Sequence, residues 1–299
     1  MCRWTITDLR GADQIGSSTN TKLFLRFGHR LPIYLQKGMI TMANYYFDAS
    51  IINRKRGSVT GRCSYISGKR LYDSYKGEHC YNERHDVVYS NIYLPHGVPD
   101  EYNDMQTICT KLEEAEHRRD ARTARCFIGS LPNELSIGDW IRIVSEFVKP
   151  NFTEHNLCSI AAIHRGEDIF DPSRNNPHVH IVVSTRTIDA DGFSKKKFRE
   201  YDKPIYIMHW REHWADVQNR AYERNGLDIR VSHETLEKQG IDREPLKHLS
   251  IIDWLKEQRG ECTAAGDENR LIRERNKERS RQTELQREYD LEPEIEICR

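Results

Sequence analysis

NNPHVHIVVSTR, running from Asn175 to Arg186, is the stretch on which the fold turns. Alternate side chains of a strand share a face, so His178 and His180 point one way while Val179, Ile181 and Val183 fill the other. Two imidazoles on one face can chelate a metal. Upstream, LCSIAAIHRGED (Leu157 to Asp168) is an apolar run that ends in His164. Gly166, Asp168, Asp171, Pro172, Asn175 and Asn176 lie between the runs and read as a loop. Pro177 is acceptable as the first residue of the second strand, where no ladder donor is needed. If the two runs pair antiparallel, opposed β-carbons stand roughly 4.5 to 5.5 Å apart. His164 then converges on His178 and His180, giving three imidazoles with coordination positions left open. The chain has 13 histidines, so an H-x-H pair by itself arises by chance. Strand context and the third histidine give the pattern its weight.

The rest of the composition sets limits. At 299 residues and 35.2 kDa the chain is long enough for one large domain with appendages or for two smaller ones. Hydrophobic residues are 37% and charged residues 31%, with a mean hydropathy of -0.78, which describes a polar chain with exposed helices or tails. No apolar stretch approaches the ~20 residues that span a bilayer, so membrane insertion is not expected. The formal net charge of +0 excludes a uniformly basic nucleic-acid binder but not local patches. Such patches are present. Arg54, Lys55, Arg56 and Arg62 lie before and within one predicted helix, and Lys195, Lys196 and Lys197 follow the H-x-H strand. These seven cations are the expected phosphate contacts; Arg118, Arg119, Arg122 and Arg125 form a further basic segment. The 8 cysteines are scattered without a C-x-x-C pair, which points to reduced thiols and a cytoplasmic location.

Along the chain, residues 1–41 show no sustained period, and Met39 and Met42 immediately precede the strand-like NYYFDASII (Asn44 to Ile52). We expect 1–41 to be an extension whose translation in vivo is open, 42–250 to be the main domain, and 251–299 to be a charged tail, helical or disordered. Gly57 and Ser58 open a predicted helix that carries Arg62, Tyr65 and Ile66 and stops near Gly68. Asp104 to Arg119 has helical spacing, Ala124 to Pro132 alternates as a strand, and Asp139 to Val148 is an amphipathic helix. Ile207 to Gly226 places Ile207, Trp210, Trp214, Val217 and Ala221 at steps of three or four and ends at Asn225-Gly226. His209 and His213 on it lack the third ligand of a metal site. A short helix is expected from Ser232 to Gly240. The fold class that follows is α+β, an antiparallel sheet flanked by helices, with the Trp210 helix packed on the face opposite the histidines.

With these residues in hand, the chain resembles the MobA/MobL family of plasmid relaxases within the HUH endonucleases. Four blocks between about Met42 and His248 carry the resemblance. They are GRCSYISGKRLYD (Gly61 to Asp73), the strand plus SLPNELS (Ser130 to Ser136), the AIHRGE and NPHVHIVVSTR pair, and HETLEKQGIDREP (His233 to Pro245). The resemblance implies a metal-dependent nickase acting on single-stranded DNA at an origin of transfer, with Tyr65 as nucleophile and His164, His178 and His180 as metal ligands. It further implies a 5′-phosphotyrosine intermediate that is later rejoined, Mg²⁺ or Mn²⁺ as the ion, and accessory relaxosome proteins and a coupling protein as partners.

The chemistry is coherent. A tyrosine hydroxyl has an ordinary pKa near 10, so it needs a metal or base to act as a nucleophile at neutral pH. Neutral imidazoles suit Mn²⁺, Zn²⁺, Ni²⁺ or Co²⁺ better than Mg²⁺, which prefers oxygen. Tyr72, Tyr75 and Tyr81 are rivals, but only Tyr65 stands between Ser64 and Ile66-Ser67-Gly68, where the family block puts its nucleophile. Some relatives carry acidic residues in the strand before the LP block, where this chain has Arg125, Cys126, Phe127 and Ile128. Asp48, on the first strand, is the candidate substitute. A rolling-circle replication initiator uses the same chemistry on a replication origin, and a degenerate relaxase would bind DNA without cutting it; both remain alternatives at this point.

Overall fold

The computed structural model describes residues 41–42, 45–167, 175–247 and 249–291. Apart from Thr41, the expectation for residues 1–41 lies outside the described residues. The two decisive runs are strands: β7 is Leu157–His164 and β8 is His178–Asp189. Both are rich in Val, Ile and Ala, as fits strands covered on both faces. In chain order the other strands are β1 (Thr41–Met42), β2 (Phe47–Asn53), β3 (Leu71–Asp73), β4 (Glu78–Cys80), β5 (Val87–Tyr93), β6 (Arg122–Ser130), β9 (Gly192–Lys197) and β10 (Ile229–Arg230). The helices are α1 (Val59–Ser67), α2 (Met105–Glu114), α3 (Ile137–Asn151), α4 (Ile205–Arg224), α5 (Ile251–Gln258) and α6 (Ala264–Leu291).

One sheet organises them, in the order β2-β6-β8-β7-β5, with β9 added on β8. Every pairing in it is antiparallel. The β7–β8 register sets His164 opposite His178 and Ala162 opposite His180. Helices cover both faces, as expected. On one face Phe127, Ile163, Val179, Ile181 and Val183 pack against Trp140, Phe147 and Val148 of α3 and Trp210, Trp214 and Val217 of α4. On the other, Cys126, Cys158, Ile160, Ala162 and Val182 meet Val59, Cys63 and Ile66 of α1 and Ile108, Cys109 and Leu112 of α2. The histidines belong to this second face.

Local chemistry explains the helix that matters most. Ser58 caps α1 by accepting from Gly61 N at 3.0 Å, and Glu113 Oε1 accepts from Val59 N at 2.8 Å. Gly68 ends the helix at φ 67°, a left-handed conformation that glycine takes without strain. On the apolar face Gly129 is a glycine for a different reason. A β-carbon there would stand 2.6 Å from the Trp214 ring.

Two expectations are refined. The helix expected from Ser232 to Gly240 is a run of turns: Ser232 Oγ accepts from Glu234 N at 3.2 Å, a local bond that competes with a helical turn. The described part of the charged tail, up to Leu291, takes the helical of its two expected forms, and residues 292–299 lie outside the described residues. Asn269 and Asn276, two turns apart on α6, each bond both backbone groups of a residue in the preceding segment, Lys247 and Glu244, at 2.7 to 2.9 Å. Ile272 is buried between them in sequence, so α6 has an inner side despite its scarcity of apolar residues.

Candidate metal and nucleophile site

Three histidines come together at one end of the second face. The ring centroids of His164 and His178 are 5.1 Å apart, those of His164 and His180 4.7 Å, and those of His178 and His180 5.0 Å. One nitrogen from each lies within 4.8 Å of the others, and among the described residues this is the only cluster of three or more metal-donor side chains. An ion with bonds near 2.1 Å needs donors about 3 to 3.5 Å apart, so small side-chain rotations would close the set.

Hydrogen bonds assign the nitrogens. His164 Nε2 is 2.7 Å from Ile66 O; a carbonyl only accepts, so this nitrogen carries the proton and Nδ1 carries the lone pair. His178 is the reverse, its Nδ1 donating to Asn176 O at 2.7 Å and leaving Nε2 free. Nδ1 of His164 and Nδ1 of His180 are buried without a hydrogen-bond partner. Buried polar atoms are seldom left so, and here they fit the needs of an ion. Burial lowers all three pKa values, to about 4 for His164 and about 2 for His180, with neighbouring histidines adding to the effect at His180. The triad is therefore neutral near pH 7, the form that coordinates metal.

Tyr65 stands beside it. Its ring centroid is 6.4 Å from that of His164 and 6.2 Å from that of His180. Ile66, the next residue of α1, is the one whose carbonyl binds His164, so that histidine fastens the C-terminal turn of the tyrosine helix to β7. The rival tyrosines lie elsewhere. Tyr72 packs on His79 at 5.1 Å, Tyr75 lies under Arg54 at 4.0 Å, and Tyr81 is exposed. His213 bonds Asn151 at 2.7 Å on the opposite face of the sheet, so the His209 and His213 pair is not part of the site.

The loops around the site are held by short backbone bonds. In the SLPNELS block Leu131 N donates to Pro177 O at 2.8 Å and Asn133 Nδ2 to Asn175 O at 2.8 Å, which fixes the entry to His178. Gly166 has φ 57°, and any β-carbon there would collide with Asn176 O.

The expected DNA contacts separate into three groups. Arg62 is at the site, where its positive charge acts on His180 and on Cys126. Lys55 and Arg56 follow β2 and, with Arg122, line an open hollow of about 630 Å³. Lys195 and Lys196 are exposed on β9; Lys197 bonds Arg122 O at 2.7 Å and pairs with Glu116 at 3.0 Å. Lys197 is opposite Arg186, eight residues along β8 from His178, or roughly 27 Å at the rise of a strand. Arg54 corrects the sequence reading. It is buried, paired with Glu113 at 3.0 Å and bonded to Glu116 O at 2.5 Å, so its guanidinium is turned inward and away from phosphate.

Acidic groups also lie where the sequence reading did not look. Cys126 and Ile128 occupy the histidine face of β6, Ile128 directly between Asp48 and His180 in the cross-strand row. No carboxylate reaches the site from β6. Asp86, at the entry to β5, places Oδ2 4.0 Å from His164 Nδ1, and Arg84 grips it through two bonds of 2.9 and 2.6 Å. That pair holds the Asp86 carboxyl below the usual carboxylate range. β5 itself was missed; the β-branched and aromatic content of VVYSNIY ahead of Pro95 is the signal that could have found it.

An antiparallel sheet that presents three histidines next to a tyrosine helix is the HUH type of architecture. The chain belongs to the MobA/MobL family, whose profile matches residues 57–258. It is 28% identical over 279 residues to a protein of Bifidobacterium longum (strain NCC 2705) described as a probable mobilization protein MobA, covering 79% of this chain and 48% of that one. It is 27% identical to the mobilization protein MobL of Acidithiobacillus ferridurans, covering 70% of this chain and 62% of the other. A solved structure presented as the molecular basis of vancomycin resistance transfer in Staphylococcus aureus is 26% identical, with a TM-score of 0.57, covering 64% of this chain and 100% of that one. The chain thus spans about half the length of the Bifidobacterium relative. No described helix is long and apolar enough to cross a membrane.

Proposed function

We propose that the protein is a metal-dependent relaxase that nicks and rejoins one DNA strand at an origin of transfer, starting plasmid mobilisation. The observation that carries this reading is the meeting of Tyr65 with His164, His178 and His180 on one sheet face. Tyr65 supplies the attacking oxygen. A bond forms between that oxygen and the scissile phosphorus while the bond from phosphorus to the 3′ oxygen breaks. The proton lost by the phenol balances the one gained by the departing 3′-hydroxyl, and the phosphoester is conserved, so rejoining needs no ATP. His164, His178 and His180 would hold the divalent ion, Mg²⁺ or Mn²⁺, which when bound polarises the phosphate and offsets charge developing on its oxygens. The histidines stay neutral and keep their lone pairs for this task. Arg62 lies where it can meet a phosphate beside the site; Lys55, Arg56, Lys195 and Lys196 offer more distant contacts, for DNA extending along the sheet.

Membership of the MobA/MobL family and the names of the relatives favour mobilisation over a replication origin. Accessory relaxosome proteins and a coupling protein are the expected partners, in the cytoplasm. The test is a labelled single-stranded oligonucleotide spanning the origin next to the gene, incubated with Mn²⁺. Wild type should form a covalent adduct that survives denaturing electrophoresis, and Tyr65→Phe should form none. An equal yield from Tyr65→Phe, or no adduct from wild type on any origin strand, would sink the reading.

A further inference from the structure

Nothing above explains what holds the Tyr65 ring in place. It projects from the last turn of a nine-residue helix. What it does have is a cation on its face. Cζ of Arg84 lies 4.6 Å from the ring centroid. Nε and Nη2 of the same guanidinium are committed to the two carboxyl oxygens of Asp86, at 2.9 and 2.6 Å. That fork fixes the plane of the guanidinium, as a lysine could not.

Asp86 is itself placed by the sheet. Its carbonyl accepts from Arg165 N at 2.8 Å, next to His164, and its Oδ2 faces His164 Nδ1 at 4.0 Å. The helix end helps from the other side, where a β-carbon at Gly68 would already touch the Arg84 side chain at 3.5 Å. Tyr65, Arg84, Asp86 and His164 therefore form a closed ring of contacts, since His164 returns to the tyrosine helix through Ile66 O. Asp86 and then Tyr65 raise the pKa of Arg84 above its ordinary value, so the charge is permanent.

We propose that Arg84 is a positioning residue for the nucleophile: anchored by Asp86, it holds the Tyr65 ring against the histidines and keeps a fixed positive charge beside the reacting oxygen. A cation over an aromatic face is attracted by the ring's negative face and so favours one ring placement. The larger effect is on the reaction, because a charge already in place when the phosphate is attacked needs no reorganisation. This rests on the reading of Tyr65 as the nucleophile.

The experiment compares wild type with Arg84→Met, Arg84→Lys and Asp86→Asn. Three quantities are measured: single-turnover adduct formation on the origin oligonucleotide, Mn²⁺ affinity by calorimetry, and the Tyr65 ring signal in ¹³C-tyrosine-labelled protein without metal or DNA. The Tyr65 peak is identified by its absence from Tyr65→Phe. Arg84→Met should slow adduct formation about 10²-fold while Mn²⁺ affinity stays within about threefold. Asp86→Asn should follow it, and Arg84→Lys, which keeps the charge but not the fork, should recover about tenfold of the loss. The Tyr65 peak should move in Arg84→Met and stay in place in Arg142→Met on the far face. A rate within threefold of wild type, a loss of Mn²⁺ affinity as large as the loss of rate, or an unmoved Tyr65 peak would each overturn the inference. If wild type forms no adduct, the functional reading fails by itself, and the tyrosine signal still decides whether Arg84 orders the ring.

Discussion

The two faces of the central sheet are built from the same strands and do opposite things. One is closed by large rings: Phe47, Phe127, Phe147, Phe152, Trp210 and Trp214 sit with neighbouring centroids 5.0 to 5.9 Å apart. The other packs aliphatic side chains such as Ile66, Ile108, Leu112 and Ile160 with the thiols of Cys63, Cys109, Cys126 and Cys158, and gives way at one end to imidazoles with unpartnered nitrogens. Burial on the ring-filled face stabilises the sheet enough for the other to keep polar atoms that a core would not tolerate. The division follows from a period of two, since each strand sends alternate residues to alternate tasks.

The sharpest way to break this comparison is Trp214→Ala. The ring lies close against Gly129 on the closed face, and its removal should cost about 3 to 5 kcal/mol in urea unfolding. Mn²⁺ affinity, measured where the variant is still folded, should remain within about threefold, since none of the ligands touches that face. Loss of metal binding by folded Trp214→Ala would mean that the faces are not independent.

A smaller effect comes from the polar side. Arg54→Met leaves Glu113 buried without its partner and should destabilise by about 3 kcal/mol. The salt dependence of DNA binding should be unchanged in Arg54→Met, whereas loss of a phosphate contact would reduce its slope by about one. A reduced slope would restore Arg54 to the DNA surface.

Acid should sharpen the contrast further. An unfolded imidazole takes its proton near 6.5, but His164 in the folded protein waits until about 4. Between those values only the unfolded state gains the proton, so metal-free protein loses stability as pH falls through this window, by up to about 3 kcal/mol from this residue. Mn²⁺ should reduce the loss, because it binds only the neutral folded site. A pH-independent midpoint between 6.5 and 4 without metal would contradict the buried-neutral description of the triad.

Much of this was legible in the chain. The alternation around His178, the apolar run into His164, the cap and stop of the tyrosine helix, and the Trp210 stripe each have a local cause that sequence displays. The Arg84 and Asp86 pair had none. Its meaning depends on β5 lying beside β7, a pairing between segments about seventy residues apart, and no local pattern encodes such a neighbour. Arg54 failed for a related reason: a run of cations reads as a surface, yet the turn after β2 directs one of three adjacent basic side chains inward to an acidic helix. Ser232 to Gly240 failed because capping residues at both ends of a short segment do not supply the propagation a helix needs.

The two outer histidines of the triad offer their lone pairs from different nitrogens, Nδ1 in His164 and Nε2 in His178, because each gives its other N–H to a carbonyl. Side-chain amides can imitate these positions one at a time. The amide nitrogen of glutamine reaches about as far as Nε2, and that of asparagine about as far as Nδ1. His164→Gln can keep the link to Ile66 and with it the seat of the tyrosine helix, while His178→Asn can keep the link to Asn176 and the strand entry. Either change removes a metal donor and spares the scaffold bond that the same ring supplies. Ligation and architecture, fused in one imidazole, are thus chemically separable in this protein.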